Sequence, residues 1–212
     1  MPKIHLLEKQ VAELIAAGEV VDRPASVGKE LLENAIDAGA KNVTVEIQRG
    51  GVTYLRITDD GCGIAREDVP TAFLRHATSK VLKAEDLTCI QTLGFRGEAL
   101  ASVAAMSKVE MLTRTADQEE GTHYVIWGGE EQACAPAGCP VGTTIVVRDL
   151  FYNTPARMKF LKKDVGEANA VAAVVDKVAL SHPEVSFRFL RDGQRKLLTP
   201  GDGKLLSAIY AV

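Results

Sequence analysis

The chain has 212 residues, of which 46% are hydrophobic and 25% charged, so its composition predicts a folded core rather than disorder. The net charge of -3 argues against a strongly basic nucleic-acid module, and no apolar run approaches the ~20 residues that a membrane-spanning helix needs. Four cysteines form no paired C-x-x-C set, which favours reduced thiols over a zinc site.

Two helices are predicted at the start of the chain. The first is expected at 9–17 and to end before Gly18. Pro24 suits the beginning of the second, which covers 26–38, a segment with polar residues set among apolar ones. The N-terminus carries charged residues and no apolar core of signal-peptide length.

A β-hairpin is predicted next, because apolar residues alternate with polar ones on both sides of the turn Arg49-Gly50-Gly51. Counting on in twos from Leu55 and Ile57 reaches Asp59. This carboxylate therefore ends a strand on the core-facing side, where a lone charge is costly.

The remaining segments predict further helices and strands. Helices are expected at 66–77, 98–105 and 167–180, and strands at 109–113, 122–127, 143–148 and 185–190. The irregular segment at 78–97 has the length of a lid that closes over a ligand. This order of elements predicts an α+β fold, a two-layer α/β sandwich with a mixed, mostly antiparallel sheet.

The second helix holds the first candidate site. Glu30 and Asn34 are four residues apart and share one face, and Asp37 lies close to that face. A general base and a side-chain amide one turn apart on a largely buried helix indicate catalytic placement.

The second candidate is the turn Asp59-Asp60-Gly61-Cys62-Gly63-Ile64. A buried carboxylate needs a hydrogen-bond donor, and the exocyclic amino group of adenine is one. The glycines let the backbone approach a flat ring closely. A tight turn with an exposed aspartate is the structural alternative.

The third candidate combines Thr78-Ser79-Lys80 with Gly94-Phe95-Arg96-Gly97-Glu98-Ala99-Leu100. Two hydroxyls, an ammonium and the N–H groups of a glycine-rich turn before a helix suit phosphate oxygens. An ordinary loop is the alternative. The chain has no P-loop, because Leu198 replaces its first glycine and Leu205 follows Gly203-Lys204.

Two weaker signals follow. Val141-Gly142-Thr143-Thr144 is best interpreted as a strand start, although the Thr143 hydroxyl could bond a buried carboxylate such as Asp59. The basic residues Arg157, Lys159, Lys162 and Lys163 suit a solvated face, or a contact with phosphate or a partner.

Six segments occur in the order found in one family: IAAGEVVDRPASVGKELLENAIDAGA, DDGCGI, RHATSK, LGFRGEALASV, VGTT and DLFYNTPAR. The chain thereby resembles the N-terminal ATPase region of MutL-type DNA mismatch repair proteins, which belong to the GHKL ATPases with DNA gyrase and histidine kinases. The resemblance covers essentially all of the chain. It implies a Bergerat-type ATP-binding domain at 25–205, after an arm and first helix at 1–24 and before the start of a connection at 206–212 to a second domain.

The resemblance also implies roles for particular residues. Glu30 would be the general base, Asn34 a ligand of Mg²⁺, and Asp59 the acceptor for the adenine amino group. The rest of the implied nucleotide-binding set is Asp37, Ala38, Gly63, Ile64, Thr78, Ser79, Lys80, Gly94, Phe95, Arg96, Gly97, Glu98, Ala99, Leu100 and Thr143.

The function implied is a slow, ATP-driven dimerisation switch in mismatch repair. Expected partners are a second copy or a related MutL-type chain, a mismatch-recognition protein of the MutS type, and DNA bound weakly, with no membrane. The bacterial cytoplasm, near the nucleoid, is the expected location.

Two departures from the family pattern bear on this expectation. Asp60 stands where asparagine is common and adds negative charge near the pocket, without an expected loss of binding. The family's second domain, which donates a lysine to the γ-phosphate, lies beyond these residues, so weak binding and poor hydrolysis are expected of this chain alone.

Three other functions are considered for the chain. A histidine kinase would need a histidine on a dimerising helix, and His5, His76, His123 and His182 form no such box. A topoisomerase or chaperone relative is disfavoured by GFRGEAL and FYNTPAR. A nucleotide-binding and dimerisation module without appreciable hydrolysis is the main alternative for the chain as given.

Overall fold

The computed structural model describes residues 8–80, 83, 92–94 and 97–212. Among these residues, eight strands form a single sheet, and helices pack against it through a shared apolar core. The predicted α+β architecture, with a mixed and mostly antiparallel sheet, is confirmed. No helix of the described ranges is long and apolar enough to cross a membrane.

The strands are β1 (Asn42–Gln48), β2 (Tyr54–Asp59), β3 (Lys108–Arg114), β4 (Gly121–Trp127), β5 (Glu130–Ala137), β6 (Gly142–Arg148), β7 (Ser186–Arg191) and β8 (Gln194–Leu198). The α-helices are α1 (Lys9–Val20), α2 (Pro24–Asp37), α3 (Val69–Ala72), α4 (Ala99–Ala105), α5 (Pro155–Met158), α6 (Asp164–Ser181) and α7 (Leu205–Ala211).

The strand order is β5-β4-β3-β6-β2-β1-β7-β8, and β1 with β7 is the parallel pair among antiparallel neighbours. The order places β2, β6 and β3 side by side. Asp59 pairs with Thr143, and Thr143 pairs with Thr113. Because directly paired residues point to the same face of a sheet, these three side chains form a row across the strands.

The helix α2 follows the predicted pattern closely. Pro24 occupies its first turn, where a missing N–H costs nothing, and Gly39 follows its end with a positive φ of 75°. Its apolar stripe packs against α6 and the sheet. The buried residues of α2 are Pro24, Ala25, Val27, Gly28, Leu31, Leu32 and Ala35.

Two predicted helices differ from the observed ones. The first continues through Gly18 to Val20, and the Arg157 guanidinium donates a hydrogen bond to the Gly18 carbonyl at 3.0 Å. The prediction of a helix over 66–77 is wrong, because only Val69–Ala72 is helical. Pro70, in the first turn, has no N–H to donate to the Arg66 carbonyl, so the helix does not begin at Arg66, and His76 adopts a left-handed φ of 62° that no helix continues.

Four elements were not predicted. β5 is exposed along nearly its whole length, and β8 buries only Leu197, so neither shows the apolar alternation of a half-buried strand. The helices α5 and α7 are four and seven residues long. Such short elements carry too few turns for periodicity to identify them.

Candidate functional site

Glu30 and Asn34 lie on the partly exposed face of α2. Leu31, Leu32 and Ala35 are buried, whereas the Glu30 side chain keeps 29% of its surface exposed. The Lys29 ammonium lies 3.6 Å from the Glu30 carboxylate and 2.8 Å from that of Glu33. The Glu30 carboxylate is therefore held on the helix surface with access to water.

An ion pair joins α2 to the segment after α3. The Lys80 ammonium donates to the Asp37 carboxylate at 2.6 Å and to the Asn34 side-chain oxygen at 3.0 Å. The backbone N–H groups of Leu93 and Gly94 donate to the same Asp37 carboxylate at 3.0 and 3.1 Å. Three predicted site segments thus converge on the last turn of α2.

Asp37 is the centre of this cluster. Burial alone would raise the pKa of its carboxyl, but hydrogen bonds from Lys80, Leu93 and Gly94 outweigh burial and lower the pKa below its ordinary value. The carboxylate therefore stays ionised and holds both Lys80 and the glycine segment near Asn34.

The other predicted phosphate-binding residues that the structure describes either precede Lys80 directly or lead into α4. Thr78 accepts a hydrogen bond from the Lys80 N–H at 3.1 Å, and Ser79 is exposed. Gly97 has a φ of 62°, and a Cβ there would lie 2.6 Å from the Ala77 carbonyl oxygen. The backbone at Gly97 therefore packs directly against the backbone at Ala77. Glu98 precedes α4, and Ala99 and Leu100 begin it. Phe95 and Arg96 lie outside the described residues.

Asp59 ends β2 as predicted, with its carboxylate partly buried. It accepts a hydrogen bond from the Gly61 N–H at 2.9 Å. Burial raises the pKa of Asp59 to about 6, against the opposing effect of the Gly61 and Thr143 N–H groups, and the Asp60 charge adds to the rise. The ionised carboxylate is costly here and favours a further donor.

This elevated pKa predicts a pH-dependent stability. The folded protein favours the protonated carboxyl more than the unfolded chain, whose Asp pKa is about 3.9, so this stabilisation is present below about pH 4 and is lost as the pH rises through about 6. In Asp59→Asn this dependence disappears. The free energy of unfolding of the variant relative to the parent should therefore increase between those pH values and level off above them.

Urea denaturation at a series of pH values measures this difference. The parent chain provides the baseline, and every other carboxyl group is common to both proteins. A difference that stays constant over the range would contradict the assignment of a raised pKa to Asp59.

The loop after β2 packs against the end of α2. The Cys62 N–H donates to the Ala38 carbonyl at 2.9 Å, and a Cβ at Gly61 would lie 2.8 Å from the Ala38 Cβ. Ala38 therefore joins the Asp59 loop to the Asn34–Asp37 cluster. Asp60 is held away from the loop's glycines, because its carboxylate accepts from Asn42 and the N–H of Lys41.

The remaining predicted residues meet around Thr113 on β3. Ile64 donates its N–H to the Thr113 hydroxyl at 2.9 Å, and the Thr143 hydroxyl lies 3.0 Å from that of Thr113. Gly142 begins β6, as the preferred interpretation of this segment predicts. The Thr143 hydroxyl contacts the Thr113 hydroxyl, which the adjacent strand places directly opposite it, and not the Asp59 carboxylate that the sequence offered as a second partner. Thr143 acts on Asp59 through its backbone N–H.

Sequence reasoning did not single out Thr113, and it left Gly142 inside a strand start. A usable signal existed for Thr113: it continues the buried positions Val109 and Met111 on the core-facing side of β3. A hydroxyl on such a face requires hydrogen-bond partners. The Lys80–Asp37 contact had no comparable signal, since 43 positions separate these residues.

Comparisons with known proteins show the family of the chain. Residues 23–131 match the family described as histidine kinase-, DNA gyrase B- and HSP90-like ATPase. The chain is 52% identical over 212 residues to the DNA mismatch repair protein MutL of Agathobacter rectalis, covering 100% of this chain and 33% of that protein. The MutL protein of Caldanaerobacter subterraneus is 51% identical over 209 residues, covering 99% and 35%. The chain therefore spans about a third of the length of these relatives.

The chain is also similar to solved structures of DNA repair proteins. The Aquifex aeolicus MutL ATPase domain, complexed with ADP, matches with a TM-score of 0.76 and 32% identity, over 91% of this chain and 69% of that one. The N-terminal domain of a DNA repair protein matches with a TM-score of 0.80 and 26% identity, over 95% and 60%.

Proposed function

Because the chain belongs to the family of MutL ATPase domains, within the GHKL ATPases, we propose that it binds ATP with Mg²⁺ and hydrolyses it slowly. One observation carries this proposal: α2 and the loop after β2 meet at Ala38. Ala38 therefore connects two parts of one proposed site. The Asp59 carboxylate at one end suits the nucleotide base, and the charged cluster of Asp37 and Lys80 at the other end suits the phosphates.

Asp59 recognises the base in this proposal. Its ionised carboxylate accepts from the exocyclic amino group of adenine, whereas guanine would present a carbonyl oxygen at that position. Gly61 and Gly63 leave room for the ring, since neither carries a side chain.

The donor set of the described residues fits a magnesium ion held mainly by nucleotide and water. No group of three or more His, Cys, Asp or Glu residues suited to a metal occurs within 8–80, 83, 92–94 and 97–212. The Asn34 side-chain oxygen already accepts from a cation, the Lys80 ammonium. Mg²⁺ prefers oxygen ligands and few protein groups, so Asn34 would hold it. When bound, the ion neutralises charge on the phosphates.

Lys80, Thr78 and Ser79 then bind the phosphates. The Lys80 ammonium, released from Asn34, keeps Asp37 as one partner and gains phosphate oxygens as others. The N–H groups of Leu93 and Gly94, tethered to Asp37, bring the glycine segment towards the same phosphates.

Glu30 acts as the general base in the hydrolytic step. Its carboxylate accepts a proton from the water that attacks the γ-phosphorus, the bond to the bridging oxygen breaks, and ADP and phosphate leave. Asn34 lies one turn away on the same face, so Glu30 is near the end of the site that holds the phosphates.

At the level of the whole protein, we extend the proposal to an ATP-driven dimerisation switch in mismatch repair. Two copies, or this chain and a related one, would associate when nucleotide is bound, and would couple a mismatch-recognition protein of the MutS type to later steps. DNA contact by this domain would be weak, and the location would be the bacterial cytoplasm near the nucleoid. The names of the relatives support the part of this extension that concerns mismatch repair.

Thermal melting with Mg²⁺-ATP tests the proposal. Nucleotide at about a hundred times its dissociation constant should stabilise the fold by ~2.7 kcal/mol. Removing Mg²⁺ with EDTA should reduce the shift, because Asn34 then shares no cation with the phosphates. Mg²⁺-GTP provides the matched control and should shift the transition less. No shift with any nucleotide would contradict the proposal.

A further inference from the structure

The Thr113 hydroxyl lies where three segments around Asp59 meet. It contacts the Gly142 carbonyl oxygen at 3.1 Å, the Thr143 hydroxyl at 3.0 Å and the Ile64 N–H at 2.9 Å. The residue is fully buried. No water competes for these contacts, so one side chain links β3, β6 and the loop after β2.

The number of available protons decides which partner donates in each hydrogen bond of the Thr113 hydroxyl. A hydroxyl donates one hydrogen bond and accepts two. The Gly142 carbonyl can only accept and the Ile64 N–H can only donate. All three contacts are satisfied only when Thr113 donates to Gly142 and accepts from Ile64 and Thr143. The proton of the Thr143 hydroxyl then points to Thr113, and its oxygen is left as an acceptor.

The surrounding backbone keeps the group in place. A Cβ at Gly63, which has a φ of 73°, would lie 2.1 Å from the Arg114 carbonyl oxygen. A Cβ at Gly142, which has a φ of 116°, would lie 2.2 Å from the Asp59 carbonyl oxygen. Only glycine allows these approaches, so the loop and both strands are locked at the distances that the Thr113 hydroxyl bridges.

We propose that Thr113 is a positioning residue for adenine selection, which orients the Thr143 hydroxyl so that its oxygen faces the Asp59 pocket as an acceptor. The inference rests on the proposed function, since it presumes that the base binds at Asp59. Two neighbouring acceptors, the Asp59 carboxylate and the Thr143 oxygen, favour a base edge or bridging water that donates. A guanine bound in the orientation of adenine would bring its carbonyl oxygen towards these acceptors, where no donor meets it.

The chain offers a matched control on the neighbouring strand. Thr122 pairs directly with Thr113, is also buried, and its hydroxyl has no hydrogen-bond partner within the described part of the chain. Thr122→Val therefore makes the same substitution at an equally buried position. It leaves the hydrogen bond between the Thr143 and Thr113 hydroxyls unchanged.

The test measures dissociation constants for Mg²⁺-ATP and Mg²⁺-GTP by equilibrium titration. Thr113→Val frees the Thr143 proton, so the preference for ATP over GTP should fall roughly fivefold, the effect of one hydrogen bond. Thr113→Ser keeps the hydroxyl and should restore the preference, and Thr122→Val should not change it. Thr113→Ala replaces the valine variant if valine disturbs the fold.

A double-mutant cycle separates positioning from simple loosening of the fold. In a Thr143→Ala background, the hydroxyl that Thr113 orients is absent, so adding Thr113→Val should leave the ATP-to-GTP preference unchanged. An unchanged preference in Thr113→Val alone, with selective ATP binding by the parent, would overturn this inference only. An equal loss from Thr113→Val in both backgrounds would also overturn it. Failure of the parent to bind either nucleotide would instead overturn the proposed function.

Discussion

ATP hydrolysis is expected to fall about 10²–10⁴-fold when Glu30 is replaced by glutamine, with nucleotide affinity nearly unchanged. Glutamine keeps the shape of the side chain but cannot accept the proton of the attacking water. Asn34, Lys80 and Asp59, which contact metal, phosphates and base in the proposal, are untouched. Single-turnover hydrolysis at high protein concentration measures the loss even where turnover is slow.

Glu33→Gln is the matched control for this variant. Glu33 lies on the same helix, and its carboxylate takes the shorter bond to Lys29, at 2.8 Å. Its replacement should leave both binding and hydrolysis close to those of the parent. If Glu30→Gln lost binding and hydrolysis equally, its assignment as the base would fail. Nucleotide-dependent dimerisation without any hydrolysis by the parent would favour a binding module instead.

Asp59→Asn should abolish most of the affinity for adenine nucleotides. The carboxylate offers two acceptor oxygens, and an amide must place its NH₂ group against either the Gly61 N–H or the adenine amino group. A hydrogen bond to a charged group contributes roughly 1.5–3 kcal/mol, so the dissociation constant should rise at least about tenfold. Titration with a fluorescent ATP analogue measures this change.

Asp60→Asn provides the control for the neighbouring position. Asp60 is exposed, and its carboxylate is occupied by Lys41 and Asn42 at the start of β1. The variant should bind nucleotide as the parent does. Equal weakening in the two variants would indicate a general effect of negative charge in the loop rather than recognition of the base by Asp59.

The elements that hold the site were predictable because their burial is periodic. The helix α2 buries Leu31, Leu32 and Ala35 on one side, which leaves Glu30 and Asn34 together on another. Counting in twos along β2 placed Asp59 at its end, and the structure confirms that position. In both cases the spacing of residues along the sequence was sufficient to predict where these side chains lie on their helix or strand.

The contacts between these elements could not be predicted in the same way. Lys80 reaches Asp37, and Thr113 reaches Ile64, across long stretches of chain. Their partners depend on strand order and on close backbone approach at Gly63 and Gly142, which no local pattern encodes. The edge strand β5 was missed for a related reason, since exposure removes the alternation that identifies a strand.

A crystal structure with Mg²⁺ and a non-hydrolysable ATP analogue tests the central claim most directly. The account predicts the adenine amino group within hydrogen-bond distance of Asp59. It predicts Mg²⁺ on the Asn34 oxygen that now accepts from Lys80, and a water between Glu30 and the γ-phosphate. A nucleotide bound elsewhere, or with its phosphates at Asp59 and its base at Asn34, would contradict the account.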